Sequence, residues 1–164
     1  MGNMDPPRAW DGAALEQILR AHPATQDALL PILHAIQDAL GYVPPGAVPA
    51  VAARLNLSRA EVHGVLTYYH HFRQHPPGRH VIEVCRAEAC QARGADLLAA
   101  HAEGVVGCGF HQTRLDGAVT LRPVYCLGHC AVGPNIAIDA QPHARMTPAC
   151  FDALLRTLVE GGAP

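Results

Sequence analysis

The sequence predicts an α/β protein, in which an N-terminal helical bundle precedes a small sandwich of strands and helices. Two observations indicate this order. Over residues 11–73 apolar side chains recur at intervals of three and four, as on the buried face of a helix. Beyond a stretch rich in His, Pro and Gly at residues 75–78, β-branched segments alternate with helical ones. We therefore expect two domains, residues 1–74 and residues 75–164.

Start and stop signals divide the first domain into helices. Leucine and isoleucine at helical spacing predict two helices, and Gly41 ends the second. Residues 46–55 predict a short third helix. Ser58 followed three residues later by Glu61 is a capping box, in which each residue satisfies a backbone donor of the other, and it predicts the start of a fourth helix.

The sequence of the second domain predicts the order strand, helix, strand, strand, strand, helix. The predicted strands cover residues 79–85, 118–125, 135–139 and 143–147, and the predicted helices cover residues 94–103 and a segment that begins at Pro148. The last two strands are expected to form a hairpin through a turn at residues 140–142. Loops that follow strand ends can present ligands without disturbing a packed core, and two pairs of cysteines lie in such loops.

Composition excludes several classes of function. The chain has 164 residues, of which 49% are hydrophobic and 16% charged, so it can bury a core. A net charge of -2 gives no basic field for phosphates, and no nucleic acid is expected as a partner. No apolar stretch approaches the ~20 residues that span a bilayer, and the first ten residues lack a hydrophobic signal core, so we expect no membrane insertion and a cytoplasmic location.

In a reducing compartment cysteines indicate metal or redox chemistry, and four of the six cysteines form two closely spaced pairs. Four residues separate Cys85 from Cys90, three separate Cys126 from Cys130, and 35 separate the pairs. Each iron of a [2Fe-2S] cluster takes two protein thiolates, so two loops that each donate a pair satisfy it. The spacing thus predicts one [2Fe-2S] cluster bound by Cys85, Cys90, Cys126 and Cys130, and it predicts no catalytic residue.

Other uses of these cysteines stay open. A structural zinc-binding adaptor also uses four thiolates, usually with two to four intervening residues, so the spacing does not exclude zinc. Neither pair has the C-x-x-C spacing of a thiol-disulfide oxidoreductase. We interpret Cys108 and Cys150 as structural. Residues 55–69 could form a helix-turn-helix, but Arg54 and Arg59 are the only positive charges there, which argues against DNA recognition.

Together with the cysteine pairs, three segments resemble the thioredoxin-like [2Fe-2S] ferredoxin family, which includes the small flavoprotein-arm subunit of respiratory complex I. These segments are residues 30–44 (LPILHAIQDALGYVP), 57–69 (LSRAEVHGVLTYY) and 85–94 (CRAEACQARG). They look most like the gamma subunit of soluble NAD-dependent formate dehydrogenases. His129 is a departure, since the family commonly has an apolar or small residue there.

The resemblance implies an N-terminal helical bundle followed by a thioredoxin-like [2Fe-2S] ferredoxin domain that transfers electrons without catalysing a reaction. It also implies a partner subunit that binds FMN, NAD and a further iron-sulfur cluster, with a molybdenum-dependent formate dehydrogenase subunit beyond it. The corresponding subunit of NADH-quinone oxidoreductase or of an NAD-linked hydrogenase is the alternative. Consistent with nucleotide binding by the partner, this chain has neither a G-x-G-x-x-G fingerprint nor a phosphate-binding G-x-x-x-x-G-K-[ST] loop.

Overall fold

A computed structural model describes residues 12–160, so the N-terminal segment for which no signal core is expected lies outside the described residues. The chain divides into two compact units, one that ends at Pro76 and one that begins at Pro77. Within residues 12–160, no helix is long and apolar enough to cross a membrane.

The first unit is helical. Its helices are α1 (Gly12–Ala21), α2 (Leu29–Leu40), α3 (Val48–Leu55) and α4 (Arg59–Tyr68), with single 3-10 turns at Gln26–Ala28 and Pro45–Ala47. Apolar side chains from all four helices form one core, whose fully buried members include Ile32, Leu33, Ile36, Val51 and Val62. Burial of one apolar face on each helix is what the sequence spacing predicts.

Both local signals in this unit are confirmed. Gly41 follows α2 with a φ of 82° and donates its backbone N–H to the Gln37 carbonyl, a left-handed end that glycine adopts without steric cost. At the start of α4 the Ser58 hydroxyl accepts from the Glu61 N–H, while the Glu61 carboxylate accepts from the Ser58 N–H at 2.8 Å. The capping box is therefore complete.

The second unit contains a five-stranded sheet with the order β2-β3-β1-β4-β5. Its elements are β1 (His80–Cys85), α5 (Glu88–Gln91), α6 (Ala95–Val106), β2 (Gln112–Thr113), β3 (Val119–Val124), β4 (Ile136–Ile138), β5 (Gln141–His143) and α7 (Pro148–Glu160). The apolar core includes residues of the sheet together with residues of α6 and α7, among them Val84, Leu98, Leu121, Ile136 and Phe151.

The pairing of β1 with β3 brings the two cysteine loops together. These strands are parallel, with Cys85 opposite Val124, whereas the other strand pairs are antiparallel. A parallel pair needs a long crossover, which α5 and α6 provide here. Because parallel strands end at the same edge of a sheet, the residues that follow Cys85 and Val124 emerge side by side, and the Arg86 N–H donates to the Val124 carbonyl at 2.7 Å.

The prediction of the last hairpin is wrong in its second strand. That strand covers Gln141–His143 rather than residues 143–147, and the turn consists of Asp139 and Ala140, whose φ values are 48° and 66°. Positive φ at both positions is typical of a two-residue hairpin turn. Pro142, which suggested the turn, instead pairs with Ala137 in an edge strand, where a missing N–H is tolerated. The short elements α5 and β2 were not predicted.

Candidate metal centre

The four predicted ligands lie at or just after the ends of the two parallel strands. Cys85 is the last residue of β1 and Cys90 lies in α5, and each is only 1% exposed. Cys126 and Cys130 follow β3, and both are exposed. The structure thus forms one buried pair of thiols and one pair at the surface.

The two sulfur atoms of the exposed pair are close enough to bind one metal. The Sγ atoms of Cys126 and Cys130 are 3.6 Å apart. A tetrahedral metal with bonds of ~2.3 Å to sulfur holds two sulfurs roughly 3.8 Å apart, so this pair has the spacing to bind one metal. Within the buried pair, burial raises the pKa of Cys90, and the contact with Cys85 and the charge of the nearby Cys130 add to this effect. The two pairs therefore lie near each other at the ends of β1 and β3.

The described residues bring together no three His, Cys, Asp or Glu side chains in an arrangement for one metal ion. What the structure shows is two thiol pairs side by side. A [2Fe-2S] cluster uses two pairs, one on each iron.

The pKa values of these thiols reflect their crowding. Burial raises the pKa of Cys90, and the contact with Cys85 adds to that effect. The hydrogen bond with Cys126 and the proximity of its charge raise the pKa of Cys130. Conversely, the Gly128 N–H donates to the Cys126 Sγ at 3.3 Å and lowers the pKa of Cys126. Thiols this close to each other repel one another when both are deprotonated. A bound metal cation offsets that repulsion and deprotonates its thiol ligands, so the arrangement suits a metal group.

The loop that carries the exposed pair has an unusual backbone. Cys126 has a φ of 133° and Gly128 a φ of 80°. A positive φ at a residue other than glycine is strained, and such strain is concentrated at functional sites. This conformation places the Gly128 N–H against the Cys126 sulfur.

A buried asparagine links both cysteine loops. Asn135 is 2% exposed, and its Nδ2 donates to the Cys90 Sγ at 3.6 Å and to the His129 carbonyl at 2.7 Å. Its Oδ1 is buried and has no hydrogen-bond partner among residues 12–160. Sequence reasoning missed this residue. The available signal was a polar side chain directly before the apolar strand β4.

A glycine permits the close approach of the loops. A Cβ atom built on Gly133 would lie 3.1 Å from the Cys90 Sγ and 3.3 Å from the Arg93 Cδ. Any side chain at this position would therefore press on the buried thiol pair. The following residue, Pro134, is joined to Gly133 by a cis peptide bond.

Among the other residues considered in the sequence, Cys108 and Cys150 make none of these contacts, and His129 makes one through its backbone only. The Cys108 thiol faces the Gln112 carbonyl at 3.6 Å, and Cys150 is exposed in the first turn of α7. The His129 ring contacts the Leu127 carbonyl through Nδ1 at 2.9 Å. Its backbone carbonyl, rather than its ring, is the group that binds Asn135.

Comparison with known proteins gives consistent matches over most of the chain. A sequence model of the thioredoxin-like [2Fe-2S] ferredoxin family matches residues 15–159. The E subunit of NADH-quinone oxidoreductase from Escherichia coli (strain K12) is 36% identical over 147 residues, which cover 90% of this chain and 89% of that subunit. The same subunit from Pseudomonas aeruginosa is 33% identical over the same length, with the same coverage.

Among solved structures, a chain of NAD+-reducing [NiFe]-hydrogenase in the H2-reduced state has the same fold, with a TM-score of 0.69 and 22% identity over 87% of this chain. The present chain spans 24% of that hydrogenase chain. The cofactor of the matched family is one [2Fe-2S] cluster. Since the family match extends across both units, this chain belongs to the thioredoxin-like [2Fe-2S] ferredoxin family.

Proposed function

We propose that this chain is an electron-transfer subunit that holds one [2Fe-2S] cluster on Cys85, Cys90, Cys126 and Cys130, beside a subunit that binds flavin and NAD. The observation that supports the proposal is that the two thiol pairs lie at or just after the ends of the parallel strands β1 and β3, which meet at one edge of the sheet. When bound, such a cluster accepts and releases one electron at a time.

The proposed site has one buried side and one exposed side. Cys85 and Cys90 are buried, so the protein shields that half from water. Cys126 and Cys130 are exposed, and Tyr125 beside them is 73% exposed. An electron carrier needs part of its cofactor near the surface, because its redox partner must approach it. We therefore expect the partner to meet the side of the exposed pair.

Asn135 places a polar group in the buried part of the site. Its N–H group points at the Cys90 sulfur, and a donor at a sulfur ligand stabilises the more negative, reduced state. No group of this chain makes or breaks a substrate bond under this proposal. The role of the chain is to position the cluster and to set its potential.

For the parent complex we propose an NAD-dependent formate dehydrogenase, in which this chain is the gamma subunit. The three segments that resemble that branch support this choice. The partner would then bind FMN and NAD, a molybdenum-dependent subunit would oxidise formate to CO2, and the complex would be cytoplasmic. The curated relatives are NADH-quinone oxidoreductase subunits, and they support that complex as the second candidate.

The cluster proposal is tested by electron paramagnetic resonance on anaerobically purified protein, before and after dithionite, with counts of iron and acid-labile sulfide. We expect about two irons and two sulfides per chain and a spin-half signal on reduction. Cys85→Ala and Cys126→Ala, which leave no donor atom for iron, should lose the signal, whereas Cys108→Ala and Cys150→Ala are matched controls that should retain it. Stoichiometric zinc without a signal would overturn the proposal in favour of a zinc adaptor.

The parent complex is tested separately by purifying the tagged chain from its native host and assaying the complex that accompanies it. Formate-dependent reduction of NAD+ is the expected activity. Quinone reduction by NADH, or NAD+ reduction by hydrogen, would replace formate dehydrogenase with the corresponding alternative and leave the cluster proposal intact.

A further inference from the structure

A groove of about 370 Å³ lies on the second unit beside the thiol site. Gly133 and Pro134 line it, Arg93 and Arg145 contribute the positive charges, and Leu97 is 78% exposed beside them. None of the residues that line it is acidic. It therefore combines an apolar surface with two cations.

The two arginines are available to an outside partner. Neither guanidinium has a hydrogen bond or an ion pair with any residue of the described range 12–160. Asp96, the acidic residue beside Leu97 in the sequence, pairs with Arg86 at 3.4 Å instead. A net charge of -2 for the whole chain makes this positive groove a local exception.

The apolar part of the groove is centred on the exposed Leu97. Leu97 leaves most of its side chain in water, although α6 buries its other leucine, Leu98, in the core. The groove thus offers a partner both an apolar contact and arginine, a residue that is enriched at protein–protein interfaces. A small polar ligand would gain nothing from this leucine, whereas a peptide segment with apolar and acidic side chains would use both features.

The groove is continuous with the thiol site. They adjoin at Gly133, because a Cβ atom on this glycine would lie 3.1 Å from the Cys90 sulfur and 3.3 Å from the Cδ of Arg93, and both Gly133 and Arg93 line the groove. Gly133 and Pro134 of the groove also follow the exposed Cys130 within four residues, so a segment bound in the groove would lie next to the loop of the exposed pair. A redox partner gains from such a contact, since it fixes the distance over which the electron moves.

We propose that this groove docks a segment of the flavin- and NAD-binding subunit that carries acidic side chains for Arg93 and Arg145 and an apolar side chain for Leu97. The proposal rests on the proposed function and adds to it the location and chemistry of the contact. Continuity with the thiol site favours this occupant, and the positive charge of the groove disfavours a symmetric contact between the grooves of two copies of the present chain.

The test measures the affinity of the flavin- and NAD-binding subunit, purified from the native complex, for wild-type and variant chains at low and high salt. Arg145→Glu and Arg93→Glu should each weaken binding about tenfold at low salt, and less at high salt, because charged contacts are screened. Arg156→Glu is the matched control: it makes the same charge change at an exposed position of α7 outside the groove, and affinity should stay within about twofold.

Leu97→Ser separates the apolar contribution from the charge. It should weaken binding about tenfold at both salt concentrations, because the loss of an apolar anchor is not screened by ions. Leu97 is exposed, so the variant should fold, and iron content per chain verifies this for every variant.

Unchanged affinity in both arginine variants and in Leu97→Ser would overturn the docking proposal. So would a finding that the variants abolish only self-association of this chain, measured by sedimentation. In either case a retained cluster signal leaves the electron-transfer function standing. Absence of a cluster in the wild-type chain would instead contradict the proposed function itself.

Discussion

If Cys90 binds the cluster as proposed, replacing Asn135 by leucine should lower the midpoint potential of the cluster. The substitution keeps a buried side chain of similar size and removes the N–H group that donates to the Cys90 Sγ at 3.6 Å. A donor at the sulfur stabilises the reduced cluster more than the oxidised one, because the reduced cluster is more negative. Loss of the donor therefore makes reduction harder.

The size of the shift follows from the geometry. Hydrogen bonds to charged groups contribute roughly 1.5 to 3 kcal/mol, and the length of 3.6 Å puts this one at the lower end. Only the part of this energy that is gained when the cluster is reduced changes the potential. Taking that part as about a third of the hydrogen-bond energy gives ~0.5 kcal/mol. For one electron, about 59 mV corresponds to a tenfold change or about 1.4 kcal/mol, so the expected shift is ~20 mV.

The fold should survive this change. The leucine leaves the His129 carbonyl without its bond from Asn135 Nδ2, but it also removes the buried Oδ1 that has no hydrogen-bond partner among residues 12–160. Leaving the His129 carbonyl unsatisfied costs ~1 to 3 kcal/mol, and removing the unsatisfied Oδ1 recovers a similar amount, so the two effects on stability largely offset each other. The comparison is therefore made between folded proteins.

The assay is a redox titration followed by electron paramagnetic resonance. His129→Ala is the control, because it removes the ring of the same loop but keeps the carbonyl that Asn135 binds, and its potential should match the wild type. An unchanged or higher potential in Asn135→Leu, with two irons per chain still bound, would refute the assignment of the donor.

Three further predictions concern packing and caps. Gly133→Ala should reduce iron per chain, because the new Cβ would lie 3.1 Å from the Cys90 Sγ; full iron occupancy would show that the loop gives way. Ser58→Ala should cost about 1 kcal/mol in urea unfolding at neutral pH. Because the Ser58 backbone and hydroxyl hold the pKa of Glu61 below its ordinary 4.5, the difference should shrink as the pH falls through the folded-state pKa, and a constant difference would contradict this. Leu121→Ala, at a fully buried position of β3, should cost about 2 to 5 kcal/mol in the same assay, and a loss below about 1 kcal/mol would mean that the core refills the space.

The sequence predicted features that depend on neighbours along the chain. The capping box of Ser58 and Glu61 is a contact between residues three apart, and the left-handed end at Gly41 follows from a glycine after an apolar helix. Both therefore appear in the structure as expected. The cysteine pairs were also local patterns, since the residues of each pair lie within one loop.

Features that depend on the sheet were harder to predict. Pro142 looks like a turn residue in sequence, but an edge strand accepts it, and the turn consists of Asp139 and Ala140. Helix α6 continues through Gly104 to Val106 because its packing against the sheet outweighs the weak helix propensity of one glycine. The contact of Asn135 with the Cys90 sulfur spans 45 residues, so no local pattern could reveal it.

The chain segment that follows Cys130 connects these observations. Within a few residues it provides the glycine that permits close approach to Cys90, the asparagine that binds both loops, and the strand β4 that pairs with β1. The same Asn135 accepts the Cys85 N–H through its backbone carbonyl at 3.0 Å. Strand pairing, loop position and polarity at the sulfur are therefore set together, so a change in this segment should alter the cluster potential even where all four cysteines remain.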